Sequence, residues 1–162
     1  LAAYTGARRG ELVQLRKQDV KLDSDSGRHY ILITDAAGSV KNDNGTRQVP
    51  IHAALKEMGF LEFVDSTNDI IFDGVNPHTV TNWFTTFRND LTIDRFDDYG
   101  HRKVFHSFRH TFITQTRGAG NPTVNVQQVV GHEKTSAGST DRYTGRMAVA
   151  VLLDVVDKIS YE

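Results

Sequence analysis

The apolar positions along this chain follow a short stretch of period two set between stretches of helical period. Residues 1–19 read as helical, with Leu12 and Leu15 on one face and Thr5-Gly6 as an interruption or cap. Residues 29–34 (HYILIT) make a β-type run of branched and aromatic side chains. Ser39-Val40-Lys41 and residues 46–51 (TRQVPI) predict two further short strands. They flank Asn42-Asp43-Asn44-Gly45, a turn signal because Asn and Gly tolerate positive φ. Beyond them the period is helical over residues 52–65, 77–91, 106–117, 123–130 and 148–159. Asn76-Pro77 suits a helix start, and Gly118-Ala119-Gly120-Asn121-Pro122 is a break between two helices. No repeat or dividing linker interrupts the pattern. The expected fold is α+β and mainly helical, a three-stranded antiparallel sheet packed beside a helical bundle, as one domain over residues 1–162.

Composition narrows the class. A chain of 162 residues, 38% of them hydrophobic, can bury a core without covalent staples. The absence of cysteine excludes disulfides and Cys-based zinc sites, and fits a reducing compartment. No apolar run approaches the roughly 20 residues that span a bilayer, and no signal-peptide pattern opens the chain. The first residue is Leu1 rather than Met, so a piece of a longer protein is expected.

The net charge of −1 argues at first against a polyanionic partner. Its distribution argues the other way. From Glu57 to Phe87 there are five acids and no Lys or Arg. From Tyr99 to His132 there is no acid, while Arg102, Lys103, Arg109 and Arg117 supply positive charge and four histidines can add to it. One anion-facing side and one acidic back would explain this segregation.

Four short stretches carry candidate chemistry. They are Thr5-Gly6-Ala7-Arg8-Arg9-Gly10-Glu11-Leu12; Lys41 beside the Asn-Gly turn, ahead of Arg47-Gln48-Val49-Pro50; His106-Ser107-Phe108-Arg109-His110; and Gly131-His132 with Tyr143 eleven residues later. In that order they resemble the signature of the tyrosine recombinases, the phage integrase family. That signature has an Arg in a T-G-x-R-x-x-E-L box, a Lys on a β-turn, an H-x-x-R box, a G-H pair and a nucleophilic Tyr. Each box alone is weak; the ordered set, running from Thr5 to Tyr143, is specific. The step from His132 to Tyr143 is longer than the family's usual one, with Ser136-Ala137-Gly138-Ser139 as the insert.

The resemblance implies a DNA-breaking and rejoining enzyme that works through a 3′-phosphotyrosyl intermediate, with Arg8, Lys41, His106, Arg109, His132 and Tyr143 as its catalytic set. The chemistry suits the residue types. Phosphoryl transfer depends on positioning and charge stabilisation, and rigid, permanently charged guanidiniums bind phosphate oxygens in pairs. The T-G-x-R register selects Arg8 over Arg9. By the resemblance, His106 takes the tyrosine proton, His132 holds a phosphate oxygen and Lys41 protonates the departing 5′ oxygen. A phenol with a pKa of about 10 needs neighbouring positive charge to attack near neutrality. Glu11 is expected to be structural, tying down the arginine box.

No cofactor and no metal are expected. His106 and His110 have zinc-like i, i+4 spacing, but there is no H-E-x-x-H motif and no acid nearby in sequence. The implied partners are double-stranded DNA, other copies of the chain in a tetramer on DNA, and accessory DNA-bending proteins, with no membrane. The expected location is the cytoplasm of a bacterial host. The helix over residues 148–159 either completes its own core or docks into a neighbouring protomer. The family's N-terminal core-binding and arm-binding domains have no counterpart in residues 1–162. Three other readings stay open: a type IB topoisomerase-like enzyme, an inactive DNA-binding module, and a metal-dependent nuclease.

Overall fold

The computed structural model describes residues 1–34, 46–131 and 146–161. Three strands pair antiparallel in the order β1-β2-β3: β1 (Val20–Leu22), β2 (His29–Ile33) and β3 (Arg47–Pro50). The register sets Val20 against Ile31, Ile31 against Val49, and Ile33 against Arg47. Strand alternation then sends Ile31, Ile33, Arg47 and Val49 to one face, and all four are almost wholly buried.

The expected strand Ser39-Val40-Lys41 lies outside the described residues. Among the described residues the sheet includes a strand that the apolar pattern did not predict, Val20–Leu22. Its signal is a turn rather than a long apolar run. The Asp23 carboxylate accepts from the Ser26 amide at 3.0 Å, and the Gly27 amide donates to the Asp23 carbonyl at 2.9 Å, which folds the chain back onto β2.

Residues 1–19 are not one helix. They form α1 (Ala2–Thr5), α2 (Arg9–Val13) and a 3-10 turn (Lys17–Asp19). Gly6 ends α1 in the left-handed region at φ 61°, and Arg8 is extended before α2 begins. Gly6 also sits under Phe112, where a Cβ would lie 2.7 Å from the ring. The helix expected over residues 52–65 likewise divides, into α3 (Ala53–Glu57) and α4 (Phe60–Ser66), at Gly59 with φ 80°.

The other helices follow the pattern closely: α5 (Pro77–Asp90), α6 (Ser107–Gly118), α7 (Thr123–Val130) and α8 (Val149–Asp157). Asn76 caps α5 by accepting from the His78 and Thr79 amides. The sheet carries α7 and α8, while α6 joins α1 to α7. In α8, Val149, Leu152, Val155 and Val156 are buried against α7 and β3 of the same chain. Asp157 at its end takes both terminal nitrogens of Arg28, at 3.0 and 2.6 Å.

The contact between α1 and α6 depends on the missing side chain at Gly6. Gly6→Ala should lose about 3 kcal/mol from the combined cost of left-handed backbone and overpacking. Gly10→Ala, in a helix with nothing near its Cβ position, should instead gain about 0.5 kcal/mol. Urea unfolding of both variants checks the pair.

Candidate active site

The arginine box has a physical reading residue by residue. Thr5 is fully buried; its hydroxyl donates to the Leu1 carbonyl at 3.0 Å and accepts from the Ala7 amide at 3.3 Å. That fixes the turn in which Gly6 presents its carbonyl to Arg109, whose Nη1 donates to it at 2.7 Å. Arg8 follows with its backbone amide on Glu11 Oε2 at 2.6 Å, one half of a capping box for α2. Its guanidinium reaches Glu11 Oε1 at 2.9 Å and the Gly131 carbonyl at 3.2 Å. The side chain stays 43% exposed, so part of it remains open to a ligand.

Glu11 is the centre of this network. Arg47 Nη2 and Nη1 donate to its two oxygens at 2.7 and 3.1 Å, and Arg47 Nε donates to the Val129 carbonyl at 2.8 Å. Burial by itself would push the Glu11 carboxyl up. Hydrogen bonds and charge from Arg47, with further bonds from Arg8, outweigh it and hold the group below its ordinary value. Arg47 is only 3% exposed and was not anticipated as a functional residue. The period-two alternation of Arg47, Val49 and Ile51 was the available signal, because it places all three on the buried face.

Gly131 belongs to the same arrangement. It ends α7 at φ 66°, and a Cβ there would stand 2.8 Å from Arg47 Nη1. Glycine before His132 is therefore required by both backbone and space.

At the start of α6, the H-x-x-R spacing puts His106, which precedes the first turn, and Arg109 on the same side about one turn apart. Arg109 is 3% exposed, and its Nη2 is buried with no partner among the described residues. Burial first, then the positive charges of Arg8 and Arg47, push its guanidinium down to about 10, against a smaller opposing pull from Glu11. It remains charged at neutral pH. His106 is lowered from 6.5, first by burial and then by His110, Arg109 and Arg8. Its imidazole is thus held neutral near pH 7 and can accept a proton. Arg8 and His106 line one groove together with Arg9, Gly10, Thr81 and Phe105.

The structure therefore brings Arg8, His106 and Arg109 together. Lys41, His132 and Tyr143 lie outside the described residues. Gly131, just before His132, is bonded to Arg8, and Arg47, shortly after Lys41, is bonded to Glu11. His106 and His110 stand edge to face, ring centroids 5.0 Å apart. Among the described residues no third His, Asp or Glu joins them in a metal-binding group.

The Glu11–Arg47 pair makes a pH-dependent prediction. A depressed carboxyl contributes stability that is present above its ordinary 4.5 and is lost as pH falls through the lower folded value. Glu11→Gln should cost about 3 kcal/mol at pH 7, because it leaves buried Arg47 without its counter-charge. The gap between wild type and variant should narrow below pH 4.5. Denaturant titrations at pH 7 and on the acid side of that value measure it.

Comparison with known proteins places the chain. The family model for the phage integrase family matches residues 1–148. No curated protein matches the chain. Among solved structures, XerH site-specific recombinase bound to difH substrate in a pre-cleavage complex superposes with a TM-score of 0.61 at 23% identity, over 82% of this chain and 38% of that one. Its post-cleavage complex with a palindromic difH substrate gives 0.57 at 24% identity, over 82% and 37%. The Tn1549 transposon integrase in complex with a circular intermediate DNA gives 0.55 at 18% identity, over 93% and 54%. The chain thus spans well under two thirds of the length of these proteins while sharing their fold. With the match running through every one of the four boxes, the chain belongs to the phage integrase family.

Proposed function

We propose that this chain is the strand-cutting and strand-joining domain of a site-specific DNA recombinase. The observation that carries the reading is the buried Arg109 guanidinium with an unpartnered Nη2, set beside half-open Arg8 and neutral His106. Arg8 and Arg47 share the Glu11 carboxylate while Arg109 lies close by and bonds the Gly6 carbonyl instead, which leaves an excess of positive charge where a phosphodiester would fit. Family membership supports assigning the reaction.

In this reading the Tyr143 hydroxyl attacks a backbone phosphorus while His106 takes its proton. Arg8 and Arg109 bind the non-bridging oxygens on which negative charge builds, and His132 holds one of them. The P–O5′ bond breaks as the P–O bond to Tyr143 forms, and Lys41 gives its proton to the departing 5′ oxygen. A 5′-hydroxyl from a partner strand then attacks the 3′-phosphotyrosyl bond and releases Tyr143. Bond energy is conserved in the phosphotyrosine, so rejoining needs no nucleotide energy source. The partner is double-stranded DNA, engaged by a tetramer of the full-length protein with accessory DNA-bending proteins where the site requires them, in the cytoplasm of a bacterial host.

Two predictions follow the chemistry. Duplex DNA with 5′-bridging phosphorothiolates, whose sulfur leaves without a proton donor, should accumulate a denaturation-resistant adduct in EDTA. Tyr143→Phe should abolish it. Lys41→Ala should cut an ordinary phosphodiester about 100-fold more slowly yet react normally with the phosphorothiolate. Adduct of equal yield from Tyr143→Phe would move the nucleophile elsewhere. Duplex relaxation without strand exchange would favour a topoisomerase, and loss of cleavage in EDTA a metal-dependent nuclease.

The second concerns pH. A general base works unprotonated, so cleavage should decline on the acid side only below 6.5, where lowered His106 picks up its proton. Arg8→Lys keeps the charge and should leave that limb in place, whereas Arg8→Met should move it upward. Single-turnover rates between pH 5 and 8 separate the two.

A further inference from the structure

A second cationic cavity lies beyond the cluster, between α5, α6 and residues 93–104. Its volume is about 720 Å³, within the range of small-molecule sites. None of Arg8, His106 or Arg109 lines it. Three positive side chains do: Arg88, Arg102 and Lys103. Arg88 is the unusual one. It is only 9% exposed, its Nη2 reaches no further than the neighbouring Asn89 side chain at 3.0 Å, and its Nε is buried without a partner.

No carboxylate answers this charge. None of the three cations has an acidic oxygen within 4.0 Å among the described residues. Asp97 also lines the cavity, but its carboxylate accepts from the Tyr99 and His101 amides at 3.0 and 2.8 Å and faces the His101 ring at 3.2 Å. A buried guanidinium with an open nitrogen is costly unless an anion completes it.

Aromatic side chains share the lining with these cations. They include Phe84, Phe87 and Phe108, with Phe84 edge-on to Phe108 at 5.7 Å. Just beyond Arg88, Thr92 is the one residue other than glycine with positive φ among the described residues, at 53°. That turn lets the Ile93 amide close on the Arg88 carbonyl at 2.9 Å. Left-handed backbone at a β-branched residue is strained and persists where the surroundings impose it.

We propose that this cavity binds a nucleotide, its phosphate on Arg88 with Lys103 and Arg102 nearer solvent, and its base against the phenylalanine rings. A guanidinium sharing a cavity with aromatic rings suits a ligand that joins an anion to a planar ring, better than either part alone. The nucleotide comes either from a DNA strand passing the catalytic groove or from the free pool.

The protein carries its own reporter. Trp83 is the sole tryptophan and stacks on Phe87 at 5.1 Å. Thymidine 5′-monophosphate should change its fluorescence saturably, with thymidine and inorganic phosphate each at least about tenfold weaker. Arg88→Met should weaken the response by about tenfold or more, and Lys103→Met, a substitution nearer solvent, should weaken it too even where Arg88→Met fails to fold. Arg8→Ala should retain it. If Lys103→Met also weakens binding of duplex DNA and the nucleotide competes with duplex, the occupant is a strand nucleotide; duplex binding unchanged by Lys103→Met identifies a free one. No saturable response, or one lost in Arg8→Ala and kept in both other variants, overturns the proposal. The titration needs no strand cleavage, so a failed adduct assay and a failed cavity are distinguishable.

Discussion

The carboxylate of Glu11 is the contact on which the rest of the site depends. One oxygen pair receives Arg47 from the sheet, Arg8 from its own turn, and through them the end of α7, because Arg47 also holds the Val129 carbonyl and Arg8 the Gly131 carbonyl. Three distant stretches of chain therefore meet at one negative charge. Without it the two guanidiniums would repel each other inside the protein, and no apolar substitute could hold both α7 carbonyls in place.

The same charge leaves the site unbalanced by design. Glu11 is shared between Arg8 and Arg47, so Arg109 receives little of its field and, among the described residues, has the Gly6 carbonyl as its one hydrogen-bond partner. Its Nη2 is buried and has no partner among the described residues. Such an arrangement costs the fold stability, and a bound anion would offset that cost. His106 is lowered first by burial, and the neighbouring His110, Arg109 and Arg8 add to the shift by disfavouring a protonated imidazole beside them.

Much of this was legible in the residues. Four boxes in order named Arg8, His106 and Arg109, and helical period located α5 to α8 within a residue or two. The structural role expected for Glu11 is the one it has. The strand Val20–Leu22 was missed because three residues with one apolar-polar alternation carry almost no periodic signal. The interruption read at Thr5-Gly6 is where α1 ends, but apolar spacing showed neither the extended Arg8 and the 3-10 turn that divide the rest of residues 1–19 nor the packing of Gly6 under Phe112, more than a hundred residues away. Arg47 went unread as a functional residue because a charged side chain in a strand looks exposed until its partner is known.

Local chemistry therefore lies in the sequence: which side chains can bind a phosphate, which turn needs glycine, which runs prefer helix or strand. These depend on residue type and near neighbours, and a linear reading recovers them. Only the tertiary structure decided that Glu11 serves two arginines, that Arg109 is buried with an open nitrogen, and that Arg88 faces a second cavity. Burial and charge pairing arise between residues far apart in the chain, and their energies are set by surroundings that exist once the chain has folded.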